Sequence, residues 1–329
     1  GQRARAVRPL VLPNSPACEI ICGMRHLPSL RIVLLGCLGL VAVQAPAFAQ
    51  ACSAPGVVVQ TLGTGGPGHN AGRASTSNLL WVDGRARLLL DFGGGSQLRY
   101  AQSTAKSNDL SLVAVSHFHP DHISDLPAWL WSTRNTPRPE PLAIVGPSGN
   151  ATAPGLVDFL RRLFDPQTGA FQVLSPVIAP PPDWAGLRLS PTSVEAAGGA
   201  VTVFDRAGLT VRALPIPHGP IPTIAYRVQA GAVSVVFSSD QTGADPRFVD
   251  FAKGTDLLLM HLNIPPGGPP NDLHASPAVV GRVAAAIGPK RLIVSHLGLP
   301  DVDAAIVDLK KAYTGPLTVA SDMLCTHVN

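Results

Sequence analysis

The chain has 329 residues, 46% of them hydrophobic and only 14% charged, which excludes a largely disordered protein and leaves ample apolar material for a core. Its 33 prolines and 32 glycines follow no strict period, which points to many turns and away from a helical bundle. The formal charge is +4, and Arg3, Arg5, Arg8, Arg25 and Arg31 against Glu19 account for all of it, so residues 50–329 are balanced and carry no gross footprint for nucleic acid.

Residues 1–23 contain no methionine and read as an over-extended start. From Met24, Arg25 and Arg31 flank the apolar run Ile32–Val43, and Ala47-Phe48-Ala49 follows as a small-x-small cleavage site. That order is a secretory signal over residues 24–49, cut after Ala49. The run is too short for a comfortable membrane span. Residues 50–329 are therefore expected to form one domain, periplasmic or secreted, without a stable span. Cys52 and Cys325 remain near its two ends. In an oxidising compartment they pair; two unpaired thiols or a lipidated Cys52 are the alternatives.

"VVVQTL" (57–62) reads as a buried strand and leads into the glycine-rich "GTGGPGHNAG". "SNLLWVDG" and "RARLLLDF" form a hairpin about Asp83-Gly84. A helix opens at "GGGSQLRYAQ", and the apolar strand "LSLVAVS" (110–116) runs directly into "HFHPDH" (117–122). "ISDLPAWLWS" and "GLVDFLRRLF" read as helices around the strand "PLAIVGP", before a proline-rich excursion at 176–191. Strands follow at "LTVRALPI", at "TIAYRVQA" and "AVSVVF" about Gly231, at "TDLLLMHL", "RLIVSHL" and "PLTVASD". Two helices lie between the last three, at "SPAVVGRVAAAIG" and "VDAAIVDLKKAY". Strands lead each half and helices alternate later, so two facing sheets with helices outside fit better than one doubly wound sheet.

In "HFHPDH" four ligand-type residues fall at i, i+2, i+4 and i+5. An extended strand end puts His117 and His119 on one side, and a turn after Pro120 brings Asp121 and His122 to a neighbouring point. Imidazole and carboxylate suit zinc, with iron or manganese as alternatives. Three further ligand-type residues end apolar strands: His218 in "LPIPHGP", Asp240 in "VVFSSDQTG" and His296 in "LIVSHLG".

This ordered set, from about Val57 to Val328, resembles the metallo-β-lactamase superfamily. The resemblance implies a four-layer αβ/βα sandwich of two facing mixed sheets. It implies first-metal ligands His117, His119 and His218, second-metal ligands Asp121, His122 and His296, and a bridging Asp240 between two zinc ions. The nucleophile it implies is a hydroxide between the metals. Classical β-lactamases often have a cysteine near the Asp240 position, and this chain has none there. "GTGGPG", "HAS" (274–276) and "SDMLC" (321–325) look like the branch that holds ribonuclease Z, zinc-dependent arylsulfatases and a class of cyclic-nucleotide phosphodiesterases. In that branch His274 matches a histidine that donates a proton to the leaving oxygen or stabilises charge, and Asp121 and His274 are assigned as catalytic.

The resulting expectation is an exported dinuclear metal hydrolase of small sulfate or phosphate esters. Export, balanced charge and the absence of a basic arm near 176–191 argue against ribonuclease Z itself, so no nucleic-acid partner is expected. A homodimer follows from family habit. The alternatives are a lactone or β-lactam hydrolase of the same fold, a ribonuclease Z-like nuclease, and a non-enzymatic metal-binding protein. Asp91 is either an orienting carboxylate or a turn cap. Trp129 and Trp131 read as core before they read as walls of an aryl pocket. His69 reads as a solvated loop histidine, His261 as structural, and His327 has no role.

Overall fold

The computed structural model describes residues 52–68, 71–268 and 271–329. The expected leader and His69 lie outside them. Two seven-stranded sheets carry the fold. The first has the order β14-β1-β2-β3-β4-β5-β6, with β1 Val57–Gly63, β2 Ser77–Val82, β3 Arg85–Leu90, β4 Leu112–Ala114, β5 Leu142–Pro147, β6 Leu189–Val194 and β14 Leu324–Val328. The second has the order β13-β12-β11-β10-β9-β8-β7, with β7 Val201–Arg206, β8 Leu209–Ile216, β9 Thr223–Ala230, β10 Val233–Phe237, β11 Leu257–His261, β12 Arg291–Ser295 and β13 Leu317–Val319. Helices α1 Ser96–Gln102, α2 Pro120–Ile123, α3 Leu126–Thr133 and α4 Leu156–Phe164 fall within the first half, and α5 Pro246–Ala252, α6 Pro277–Ile287 and α7 Val302–Leu309 within the second.

Period-two alternation sorts the strand residues into layers. Leu88 and Leu90 face the second sheet and meet a core with Tyr226, Val235 and Phe237. Leu89 turns the other way, into a core with Tyr100 of α1, Trp129 of α3 and Leu160 of α4. In the second sheet Val236, Leu258 and Val294 pack outward on Phe248 of α5, Val280 of α6 and Leu309 of α7. Central strands are thus covered on both faces, which is why they read as unbroken apolar runs. This is the expected αβ/βα sandwich. At the β2–β3 hairpin Asp83 (φ 49) and Gly84 (φ 75) both adopt the left-handed conformation that a two-residue turn requires.

Three strands escaped the sequence reading. β6 exposes its four central residues and β7 buries one of six; both are edge strands, so neither carries an apolar pattern. Pro191, inside the supposed excursion, sits in β6, where an edge tolerates the missing N–H. β14 closes the first sheet by pairing antiparallel with β1, placing Cys325 opposite Gln60. Cys325 forms a disulfide with the buried Cys52. Among the described residues no helix is long and apolar enough to cross a membrane.

Candidate metal centre

Parallel pairing aims several strand ends at one place. In the first sheet β3 and β4 run together and deliver Asp91 and then Ser116-His117. In the second sheet β10, β11 and β12 are parallel and end at or just before Asp240, His261 and His296, while β8 ends just before His218. The sheets are tied beneath the site: the Tyr226 hydroxyl donates to the Val115 carbonyl at 2.8 Å, and the Ile224 N–H to the Ser116 carbonyl at 3.0 Å.

Asp240 stands in the middle. Its Oδ2 lies 3.7 Å from His117 Nε2 and from His218 Nε2, 3.5 Å from His122 Nε2, 3.3 Å from His296 Nε2 and 3.9 Å from His274 Nδ1. Its Oδ1 pairs with His261 Nδ1. His119 Nδ1 lies 3.0 Å from His117 Nε2 and 3.2 Å from His218 Nε2. Asp121 Oδ2 lies 3.1 Å from His296 Nε2 and 3.8 Å from His122 Nε2. All seven ligand-type residues read from the sequence, and His274, therefore converge.

Two groups of donor atoms lie within 4.8 Å of one another: His117, His119, His218 and Asp240, and His122, Asp240, His261 and His296. His261, read as structural, is inside the second group, and Asp121 reaches that group through His296 and His122. The strand end at His261 was the signal; only the approach of β11 to β10 shows what it faces.

The donors are presented for metal. His218 Nδ1 donates to the Leu273 carbonyl at 2.7 Å, which leaves its Nε2 lone pair toward the cluster. Asp91 accepts the Ser116 N–H and hydroxyl, each at 2.7 Å, and lies 2.8 Å from His122 Nδ1, so it orients a histidine as well as a turn. His122 Nε2 is buried with no hydrogen-bond partner among the described residues, an orphan that such a site must satisfy. This imidazole–carboxylate set fits two divalent ions sharing one carboxylate.

The electrostatics reflect the crowding. Burial pushes the His117, His119 and His218 imidazoles below their ordinary range. Burial opposes charge on His122 also, but the Asp240 and Asp91 carboxylates outweigh it and hold His122 well above the ordinary value. Burial likewise opposes charge on Asp240 and Asp121, yet the surrounding histidines pull Asp240 well below the carboxylate range and Asp121 to about 2. Burial lowers His261 and His274 to about 4 each.

Strained and glycine backbone frames the site. Asp91 (φ 62), Ser239 (φ 54) and His296 (φ 58) are left-handed without being glycine, at a cost of about 1–2 kcal/mol each, and all three sit where a strand turns to present a site residue. The "GTGGPG" turn passes so close that a Cβ on Gly66 would meet His296 Nδ1 at 2.8 Å. Asp322 of "SDMLC" secures that turn by accepting from the Thr64 N–H at 3.1 Å and hydroxyl at 2.7 Å. Trp129 is core, as expected, whereas Trp131 is 48% exposed and His327 is exposed on β14.

A family model described as a beta-lactamase superfamily domain matches residues 87–297, the stretch from Arg87 to Leu297 that holds every residue of the cluster. The chain is 36% identical over 188 residues to ribonuclease Z of Mycobacterium sp. (strain KMS), covering 56% of this chain and 61%, about three fifths, of that relative. It is 30% identical over 255 residues to ribonuclease Z of Mycobacterium marinum, covering 73% of this chain and 86% of that one. Among solved structures, the short form of human tRNase Z superposes with a TM-score of 0.64 at 19% identity, over 83% of this chain and 99% of that chain.

These relatives overturn the expectation of no nucleic-acid partner, since their names state RNA as what they act on. That expectation rested on export, balanced charge and the absence of a basic arm near 176–191; a balanced total says nothing of local distribution. Arg85, Arg87, Arg138 and Arg206 line one surface cavity together with Asp109 and Glu140, at the start of β3 and so at the opposite end of that strand from Asp91. The matched family, the M. marinum relative and the shared fold together establish that the chain belongs to the metallo-β-lactamase superfamily, in its ribonuclease Z-like branch.

Proposed function

We propose that the chain is a metal-dependent phosphodiesterase of the ribonuclease Z type, with RNA the first substrate to test. The observation that carries this reading is the convergence of five histidines on Asp240 Oδ2, with His274 as the one that no metal position claims. In this reading His117, His119 and His218 hold one ion, His122, His296 and Asp121 a second, and Asp240 both. Bound there, divalent metal supplies Lewis acidity and an activated water at neutral pH. The chain's residues do the rest. His261 holds Asp240 Oδ1, so Oδ2 stays aimed at the cluster. His274, kept neutral by burial, offers an N–H to charge developing on the phosphoryl or leaving oxygen.

Asp91→Asn tests the orienting carboxylate. Asparagine tolerates the left-handed backbone at this position, so the fold should survive while zinc affinity falls about 10–100-fold. Competition against a chromophoric chelator measures it; unchanged affinity would remove Asp91 from the site's support.

The Cys52–Cys325 disulfide favours a second reading, an exported hydrolase of small phosphate or sulfate esters in the periplasm or outside the cell, because such bonds persist in oxidising compartments. The full chain loaded with zinc is assayed on a precursor tRNA with a 3′ trailer, on bis-p-nitrophenyl phosphate and on p-nitrophenyl sulfate. Both phosphodiesters should turn over, with His274→Ala costing about 10²–10³ in kcat. Sulfate turnover alone would overturn the phosphodiesterase reading.

A further inference from the structure

Asp322, in the connection between β13 and β14, holds four donors on its two carboxylate oxygens. Oδ1 accepts the Thr64 N–H at 3.1 Å and the Thr64 hydroxyl at 2.7 Å; Oδ2 accepts the Ala74 N–H at 2.7 Å and the Arg99 Nε–H at 3.2 Å. Thr64 and Ala74 are the two feet of the glycine-rich turn, and the side chain that joins them comes from almost the other end of the chain. Both feet lead to the cluster. From the first, the Thr64 carbonyl accepts the Leu297 N–H at 2.7 Å, and Gly66 packs against the His296 ring where no Cβ fits. From the second, the Ser75 N–H donates to the Gly94 carbonyl at 2.8 Å and the Phe92 N–H to the His122 carbonyl at 2.6 Å. Gly93, between them, fits against Ser75 and the Asp121 carbonyl only because it has no Cβ.

We propose that Asp322 is a positioning residue for the second ion: by clamping both feet of the turn it sets His296, Asp121 and His122 together, and so governs affinity for that ion alone. The assignment rests on the two-ion reading above. His296 depends on the turn most. Asp91 orients His122 and the Leu273 carbonyl orients His218, each through Nδ1, whereas His296 Nδ1 is buried with no hydrogen-bond partner among the described residues. Packing on Gly66 is what fixes that ring. The ligands of the first ion stand apart: His117 and His119 follow β4 and His218 follows β8, and none of the bonds that run from Asp322 through the turn reaches them. A carboxylate suits the task because its two oxygens accept all four donors. Asparagine offers one oxygen, so whichever way its amide turns two donors face an NH2 group and one foot is released. The Asp322 side chain is 8% exposed, so water does not freely replace the lost acceptor.

The test is zinc binding to the full chain, measured by competition against a chromophoric chelator. The wild-type chain should hold two ions. Asp322→Asn should weaken one of them about 10–100-fold and leave the other within about twofold. At a zinc concentration that saturates the wild-type chain, imidazole NMR signals of His117 and His218 in the variant should show bound metal and those of His296 should not. Turnover of bis-p-nitrophenyl phosphate should return as free zinc is raised. Gly66→Ala leaves the bonds of Asp322 in place and presses a Cβ on His296 Nδ1 at 2.8 Å; it should lose the same ion, and it carries the test if Asp322→Asn does not fold. Chain with Cys52→Ser and Cys325→Ser, loosened at the same sheet edge without losing a bond to the turn, should hold both ions as the wild type does. Two ions at wild-type affinity in Asp322→Asn or in Gly66→Ala would overturn the proposal while the two-ion reading stood. Equal weakening of both ions, or the same loss in the cysteine variant, would report general loosening and also overturn it. A wild-type chain that holds a single zinc would sink the two-ion reading and the proposal together.

Discussion

Replacing Asp240 with alanine should abolish turnover, by roughly 10³ or more, and leave fewer than two zinc ions bound. Loss of an orienting partner costs about 10–100-fold in metal affinity, and Asp240 is more than that: its Oδ2 lies within 4 Å of nitrogens on five histidines. The same substitution should be visible without metal. In the metal-free chain the Asp240 and Asp91 carboxylates hold His122 charged above its ordinary pKa of about 6.5. The folded value being raised, the stability this contributes is fully present below about pH 6.5 and is lost as pH rises through the folded value. In Asp240→Ala the His122 ring should titrate at lower pH, read from its imidazole NMR signals. Full turnover in the variant, or an unmoved His122, would refute the central position of Asp240.

Replacing Cys52 and Cys325 by serine should lower stability by about 2–5 kcal/mol. The bond spans 273 residues, so the chain-entropy contribution sits at the upper end of that range. At about 2–4 °C per kcal/mol for a domain approaching this size, the unfolding midpoint should fall by roughly 5–15 °C. The strand pairing of β14 with β1 should hold the fold together in the variant. The comparison is made by thermal unfolding of oxidised, reduced and doubly substituted chain. Equal midpoints in all three would mean that β14 alone secures the closing edge.

How far the site was legible follows from where its information lies. "HFHPDH" is contiguous, so its ligand types and their turn could be read directly, and Asp240 and His296 stood out because each follows an apolar strand. His261 sits at a strand end of the same kind and was read as structural, because no linear spacing says which neighbour a strand end faces; the parallel register of β11 between β10 and β12 is what brings it to Asp240. Trp129 and Trp131 are two residues apart on one helix, yet one is core and the other is exposed. The nucleic-acid expectation failed for a related reason: net charge is a property of the composition, whereas the relatives that overturn it are matched through the cluster and the fold.

The sequence alone determined the layered architecture, the identity of most strands and helices, and the kinds of atom offered to a metal. Those follow from local period and residue chemistry, which do not depend on distant contacts. Only the tertiary structure decided that β14 closes the first sheet beside β1, that Asp240 rather than any other carboxylate stands among five imidazoles, and that Asp322 clamps the glycine-rich turn beside His296. Each of these joins residues from distant parts of the chain, and their distances are set by how two twisted sheets pack, for which no residue pattern along the chain carries a measure.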